Sequence, residues 1–173
     1  LVPPEPDGLA RAWELDKKIV SRALALGGSC SGEHGVGIGK REFLETESGR
    51  LFTSGDLMQA SARYAHLLAD LGARRGDRVA VQVEKSPTSL FLYLACLRAG
   101  LVYLPLNTAY QRSELAYFLG DAEPKVVVCR PQSLELMQDI AAGRAQVLTL
   151  DEEGDGTLSR AAAAMGADFP TAS

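Results

Sequence analysis

The 173-residue chain is poor in cysteine, in long apolar stretches and in any excess of positive charge. Each shortage removes a class of function. Its three cysteines, Cys30, Cys96 and Cys129, are odd in number and widely spaced, with no Cys-x-x-Cys pair, which argues against a disulfide framework or a thiolate zinc site. Cys96 and Cys129 fall on apolar stretches and are expected as small core residues in a reducing compartment. The apolar run from Leu90 to Leu97 is far short of the roughly 20 residues that cross a bilayer. No basic segment leads into an apolar one, as in a secretory signal, although the chain opens Leu1-Val2-Pro3-Pro4 rather than with Met. The cytoplasm is therefore the default location. A net charge of -4, with acidic and basic residues interleaved, leaves no basic stripe to neutralise a phosphate backbone, so nucleic acid is not an expected partner.

What is present is enough for one ordinary α/β domain with an appendage: 46% of the residues are apolar. After Asp7, Ala12, Leu15, Ile19, Ala23 and Leu26 recur at spacings of three and four, which predicts an amphipathic helix closed by Gly27-Gly28. Residues 29–40 have no regular period, and their glycines suit an irregular loop. A short helix is expected over Arg41 to Glu47, broken at Ser48-Gly49-Arg50. A new rhythm follows. Thr53 and Asp56 stand like a capping box ahead of Leu57, Ala60, Tyr64, Leu67 and Leu71, with Gly72 beyond. Strands are expected over Arg78 to Glu84, Leu101 to Leu106, Lys125 to Cys129 and Gln146 to Leu150. Between them, helices are expected from Ser86-Pro87 to Ala99, over Ser113 to Gly120 and over Pro131 to Ala142. Such alternation requires crossovers between parallel strands, so residues 50–150 are expected to form a layered α/β sheet with helices on both faces. Residues 151–173 are rich in Gly, Ala and Asp and read as a tail, with one short helix over Leu158 to Met165 and frayed last residues.

The densest chemical signal is Ser29-Cys30-Ser31-Gly32-Glu33-His34-Gly35-Val36-Gly37-Ile38-Gly39-Lys40. It is not a Walker loop, because His34 stands where that pattern needs Gly and Arg41 where it needs Ser or Thr. Nor does Glu33-His34 fit the two-histidine zinc helix. A carboxylate beside an imidazole, set among glycines that permit close approach, suits metal coordination and proton abstraction. On spacing alone a solvated polar loop is the more common account of such a stretch. Together with Gly27-Gly28 before it and Arg41 after it, this run resembles the C-terminal-domain signature of FAD-linked oxidases of the D-lactate dehydrogenase and glycolate oxidase type. The resemblance covers residues 1–49. It implies that Glu33 is a ligand of a divalent metal and His34 the base that takes the hydroxyl proton as hydride passes to the flavin. That family's FAD domain and two further metal-binding histidines lie outside the resemblance, and the only other histidine here is His66.

Residues 50–150 contain no nucleophile elbow, no paired carboxylates at a strand end and no Gly-rich phosphate loop. Glu84, Lys85, Asn107 and Tyr110 lie at strand ends or in loops, where capping and solvation explain them. The wording of this stretch is more specific. Gly76-Asp77-Arg78-Val79-Ala80-Val81, Glu84-Lys85-Ser86, Arg98-Ala99-Gly100, Val102-Tyr103-Leu104-Pro105-Leu106-Asn107-Thr108-Ala109-Tyr110 and Asp121-Ala122-Glu123-Pro124-Lys125-Val126-Val127-Val128-Cys129 resemble the N-terminal region of AMP-forming acyl-CoA synthetases. Within that family the Glu-Lys-Ser and Leu-Asn-Thr-Ala-Tyr wording is most similar to malonyl-CoA synthetases. The resemblance implies a carboxylic acid joined to ATP, with release of pyrophosphate, and then transferred as acyl to coenzyme A.

The combined expectation is a composite chain. A partial FAD-oxidase cap domain over 1–49 precedes an incomplete acyl-CoA synthetase N-terminal domain over 50–150, and the full active site of neither is present. No ATP- or CoA-binding residue is carried onto the chain, and no cofactor is expected for it alone. The parent families use FAD with a divalent metal, and ATP with Mg and coenzyme A, on small-molecule substrates. Two alternatives stand beside the ligase fragment: a fragment of an FAD-dependent D-2-hydroxy-acid dehydrogenase working through Glu33 and His34, and a non-catalytic interaction module.

Overall fold

The structure is a computed structural model. It describes residues 51–170 together with Leu44–Glu45 and Glu14, Lys18, Ile19, Ser21, Arg22, Ala25 and Leu26. The chain divides into two compact units, one of Leu1–Glu45 and Gly49–Ser54, the other of Thr46–Ser48 and Gly55–Ser173. In the first unit Glu14, Lys18, Ile19, Ser21, Arg22 and Ala25 are helical, and Ile19 and Leu26 are exposed. The rest of the expected Ala12 to Leu26 helix lies outside the described residues. Two short strands follow, β1 (Leu44–Glu45) and β2 (Leu51–Phe52), paired antiparallel with Leu44 opposite Phe52 and Glu45 opposite Leu51. This corrects the short helix expected over Arg41 to Glu47. A helix that brief forms too few backbone bonds to offset nucleation, whereas the extended dipeptides Leu44-Glu45 and Leu51-Phe52 on either side of Ser48-Gly49 can pair, with Leu44 opposite Phe52.

From Gly55 onward the second unit holds α1 (Ser54–Asp70), which carries Asp56 in its first turn and buries Tyr64, Leu67 and Leu68. Strand β3 (Arg78–Gln82) leads to α2 (Pro87–Ala99). The start of α2 is encoded locally. Ser86 Oγ accepts the Ser89 amide at 3.1 Å, Ser89 Oγ accepts the Ser86 amide at 3.0 Å, and Pro87 takes the first helical position, where no N–H is needed. Its end is equally local, because Gly100 adopts φ 68° and turns its N–H back onto the last carbonyls. Ser86→Ala should remove one half of the box and cost about 1 kcal/mol in the unfolding free energy, read as a lower denaturant midpoint with an unchanged slope.

The remaining elements are β4 (Val102–Pro105), α3 (Arg112–Ala122), β5 (Val126–Cys129), a 3-10 turn (Pro131–Ser133), α4 (Leu134–Ala141), β6 (Gln146–Thr149) and α5 (Thr157–Ala162). The four strands β3 to β6 form one parallel sheet in the order β4-β3-β5-β6. Right-handed crossovers fix the layers. The step from β3 to β4 runs one way across the sheet and the steps from β4 to β5 and from β5 to β6 run the other way, so α2 covers one face and α3 and α4 the opposite one. Packing agrees: Ala80, Val127 and Cys129 bury against Leu115 and Leu119 of α3 and Met137 and Ile140 of α4. The alternate residues Val79, Val81, Val126 and Val128 are buried too, as a sheet covered on both faces requires. Cys96 and Cys129 are free thiols inside this core. Burial pushes Cys96 up to about 12 and Cys129 up to about 11, the latter lowered in part by the Arg130 guanidinium, so neither is a thiolate at neutral pH.

The tail is more ordered than its composition suggests. Helix α5 is shorter than the expected Leu158 to Met165, but side chains of the first two helices hold the residues beyond it. Arg63 Nη1 donates to Ala163 O at 3.2 Å, His66 Nε2 to Asp168 O at 2.5 Å, and Arg98 Nη1 to Phe169 O at 3.1 Å. The Phe169 ring also sits edge-on to His66 at 4.8 Å. Sequence patterning misses this because the acceptors are backbone carbonyls, which carry no residue signature.

Candidate functional site

In an open parallel sheet, ligands are received outside the carboxyl ends of the strands, where neighbouring crossovers diverge. Here that point lies between β3 and β5. Four polar residues from three strand ends meet there. Gln82 ends β3, is buried, and donates from Nε2 to Asn107 O at 2.8 Å, tying β3 to the loop after β4. Asn107 folds that loop by accepting the Ala109 amide on Oδ1 at 2.9 Å. Arg130, directly after β5, is the hub. Its amide donates to Gln82 O at 3.1 Å, Nη1 pairs with Glu84 Oε1 at 3.2 Å, and Nη2 donates to Thr108 O at 3.1 Å. Its Nε is buried with no partner among the described residues. One planar guanidinium thus fastens the loops after β3 and β4 to the end of β5, a task that the point charge of Lys does poorly. Arg130→Met should cost about 1–2 kcal/mol through the lost charge-assisted bonds and the stranded Thr108 carbonyl. Arg130→Lys should recover less than half of that in the same urea titration.

Of the strand-end residues singled out from sequence, the structure therefore brings Glu84 and the Asn107 loop together. Tyr110 instead stacks on Phe118 at 5.1 Å, inside the α3 layer, and Lys85 is exposed. Gln82 and Arg130 were missed. The available signals were slight: a glutamine in phase with Ala80, between Val81 and Val83, and an arginine directly after the apolar run Val126-Val127-Val128-Cys129. Glu33 and His34 lie outside the described residues. Among the described residues no cluster of His, Cys, Asp and Glu suits a metal ion, and no helix is long and apolar enough to cross a membrane.

A family model of AMP-binding enzymes matches residues 37–169. The chain belongs to the AMP-binding enzyme family. The polar hub around Arg130 and the whole parallel sheet fall inside the matched stretch of this family. A second model, FAD linked oxidases, C-terminal domain, matches residues 2–60 and overlaps the first at residues 37–60, where β1 and β2 lie. Among relatives, the chain is 36% identical over 96 residues to a feruloyl-CoA synthase of Amycolatopsis sp, covering 56% of this chain and 20% of that protein. It is 34% identical over 107 residues to malpinin synthetase of Mortierella alpina, covering 62% of this chain and 1% of that protein. Among solved structures, apo MatB from Rhodopseudomonas palustris matches with 46% identity and a TM-score of 0.73, covering 76% of this chain and 27% of MatB. The chain thus spans about a quarter of MatB and a fifth or less of these two relatives, and its parallel sheet with flanking helices is the fold of acyl-CoA synthetase N-terminal domains.

Proposed function

We propose that residues 50–150 are the opening part of an AMP-forming acyl-CoA synthetase of the malonyl-CoA synthetase type, acting on small-molecule substrates in the cytoplasm. The observation that carries the reading is the 46% identity to MatB. The Glu84-Lys85-Ser86 and Leu106-Asn107-Thr108-Ala109-Tyr110 wording supports the same type. In such a ligase a carboxylate oxygen attacks the α-phosphorus of ATP and expels pyrophosphate. The thiolate of coenzyme A then attacks the acyl carbon and displaces AMP. This chain's share is scaffolding: the Arg130 hub holds three strand-end loops in register at the point where the sheet receives ligands. The purified chain by itself is expected to release no pyrophosphate above a protein-free blank with malonate, ATP and coenzyme A. Residues 37–169 transplanted in place of the matched stretch of MatB are expected to support malonate-dependent release. Activity of the isolated chain, or a folded transplant that uses another carboxylate instead, contradicts the proposal.

A second reading concerns residues 1–49 and is favoured by the FAD-linked oxidase match over residues 2–60. There Glu33 is a metal ligand and His34 a proton-abstracting base, inherited from an oxidase whose flavin domain is not part of the match. The chain is expected to elute from gel filtration without a flavin absorption band. In any longer parent, His34→Ala is expected to abolish hydroxy-acid oxidation while flavin stays bound.

A further inference from the structure

The chain's three methionines stand in different surroundings. Met137 is fully buried in α4, Met165 is half-buried in the tail, and Met58 of α1 is 58% exposed. Met58 is nevertheless engaged, because its Sδ accepts from Arg98 Nη2 at 3.2 Å. The other arm of the same guanidinium, Nη1, donates to Phe169 O at 3.1 Å and so holds the tail. One arginine thus bridges an accessible thioether and a tail carbonyl. Met58, Arg98, Phe169 and Pro170 also line an open cleft of about 440 Å³, which gives a small oxidant access to the sulfur and leaves room for an added oxygen. A thioether is a weak acceptor, whereas oxidation to the sulfoxide makes the same side chain polar. No oxygen fits between Sδ and Nη2 at their present separation. Met58 is unbranched, flexible and at the surface, so its sulfur can draw back while the new oxygen takes its place opposite Nη2. Phe169 O is served by Nη1, so the two acceptors do not compete.

We propose that Met58 is a reversible oxidation site whose sulfoxide tightens the hold of Arg98 on the tail. Hydrogen peroxide is the oxidant: its O–O bond breaks, one oxygen bonds to Sδ as the sulfur gives up two electrons, and the other leaves as water. A methionine sulfoxide reductase reverses the step, two thiols closing to a disulfide as the oxygen departs as water. In the oxidised state the guanidinium lies between two full acceptors, Phe169 O and the sulfoxide oxygen, and its bond to the second is charge-assisted. The proposal is independent of the ligase reading, and no turnover enters its test. The full chain is treated with peroxide until peptide mapping by mass spectrometry finds one added oxygen per molecule, and amide exchange of residues 163–170 is compared before and after. Met58 is expected to be oxidised ahead of Met165 and the buried Met137, and exchange in the tail to slow about threefold, as one added charge-assisted bond of modest net strength requires. Sulfoxide reductase with a dithiol should restore the original rate. Met58→Gln, whose amide oxygen stands in for the sulfoxide oxygen, should slow exchange without peroxide, and Met58→Leu should abolish the response to it. Unchanged or faster tail exchange with Met58 oxidised overturns the proposal. So does oxidation of Met165 that spares Met58, or a slowing that persists in Met58→Leu and therefore belongs to Met165.

Discussion

Gly156→Ala is expected to destabilise the second unit by about 3 kcal/mol or more, among the largest effects of a single-methyl addition at the described glycines. Gly156 has φ 154° between β6 and α5. A Cβ there would meet Thr149 O at 2.0 Å, the Thr149 carbonyl carbon at 2.6 Å and Leu150 Cα at 2.9 Å. All three are backbone atoms of the strand end, so no rotamer change relieves the clash. Relief requires the strand end and α5 to separate. That breaks the Thr149–Thr157 hydrogen bonds and the Tyr64–Ser159 contact, and exposes Leu158 and Ala162. The checks are a drop in denaturant midpoint and faster amide exchange in α5. Gly143→Ala is the comparison. It also sits at positive φ, but its Cβ would meet nothing within 4 Å, so about 1 kcal/mol is expected from conformation alone. Equal losses at the two positions would refute the close approach at Gly156.

Val127→Asp is expected to be more damaging still, costing about 4 kcal/mol at pH 7. Val127 is fully buried in β5, between β3 and β6, under Leu119 and Met137. A carboxylate there loses its hydration, and Arg144, which lines the same cavity, already donates to the Ala141 and Ile140 carbonyls, so desolvation dominates and the folded protein holds the new Asp protonated well above its unfolded value of about 3.9. The sign follows. With the folded pKa raised, folding takes up a proton, and stability falls as pH rises above about 4, by up to about 1.4 kcal/mol per pH unit until the folded pKa is reached. The variant should therefore be more stable at pH 4.5 than at pH 7 relative to the parent at each pH. A pH-independent loss would mean that the strand has rotated the carboxylate to water.

Local signals account for much of the fold. Ser86, Pro87, Ser89 and Gly100 determine the two ends of α2 through bonds within a few residues, and such bonds are readable from a string. The triple valine at 126–128 marks a strand buried on both faces because burial is written in composition. The short helix expected over Arg41 to Glu47 failed for the opposite reason. Its alternative, pairing Leu44 with Phe52, depends on a partner strand that periodicity within seven residues does not contain.

The candidate site was half legible. Glu84 and Asn107 stood out as polar residues at strand ends, but nothing in the string links them to Arg130, which is 46 residues from Glu84 and 22 from Thr108. The sequence by itself determined the alternation of strands and helices, the parallel sheet that follows from it, the buried cysteines and the membership of its second part in the acyl-CoA synthetase lineage, because propensity, capping and burial act locally and resemblance is carried by consecutive residues. Only the tertiary structure decided the strand order β4-β3-β5-β6, and with it the convergence of Gln82, Glu84, Thr108 and Arg130, and the anchoring of the tail by Arg63, His66 and Arg98. Each of these is a contact between residues distant in the chain, settled by the handedness of the crossovers and the packing of layers.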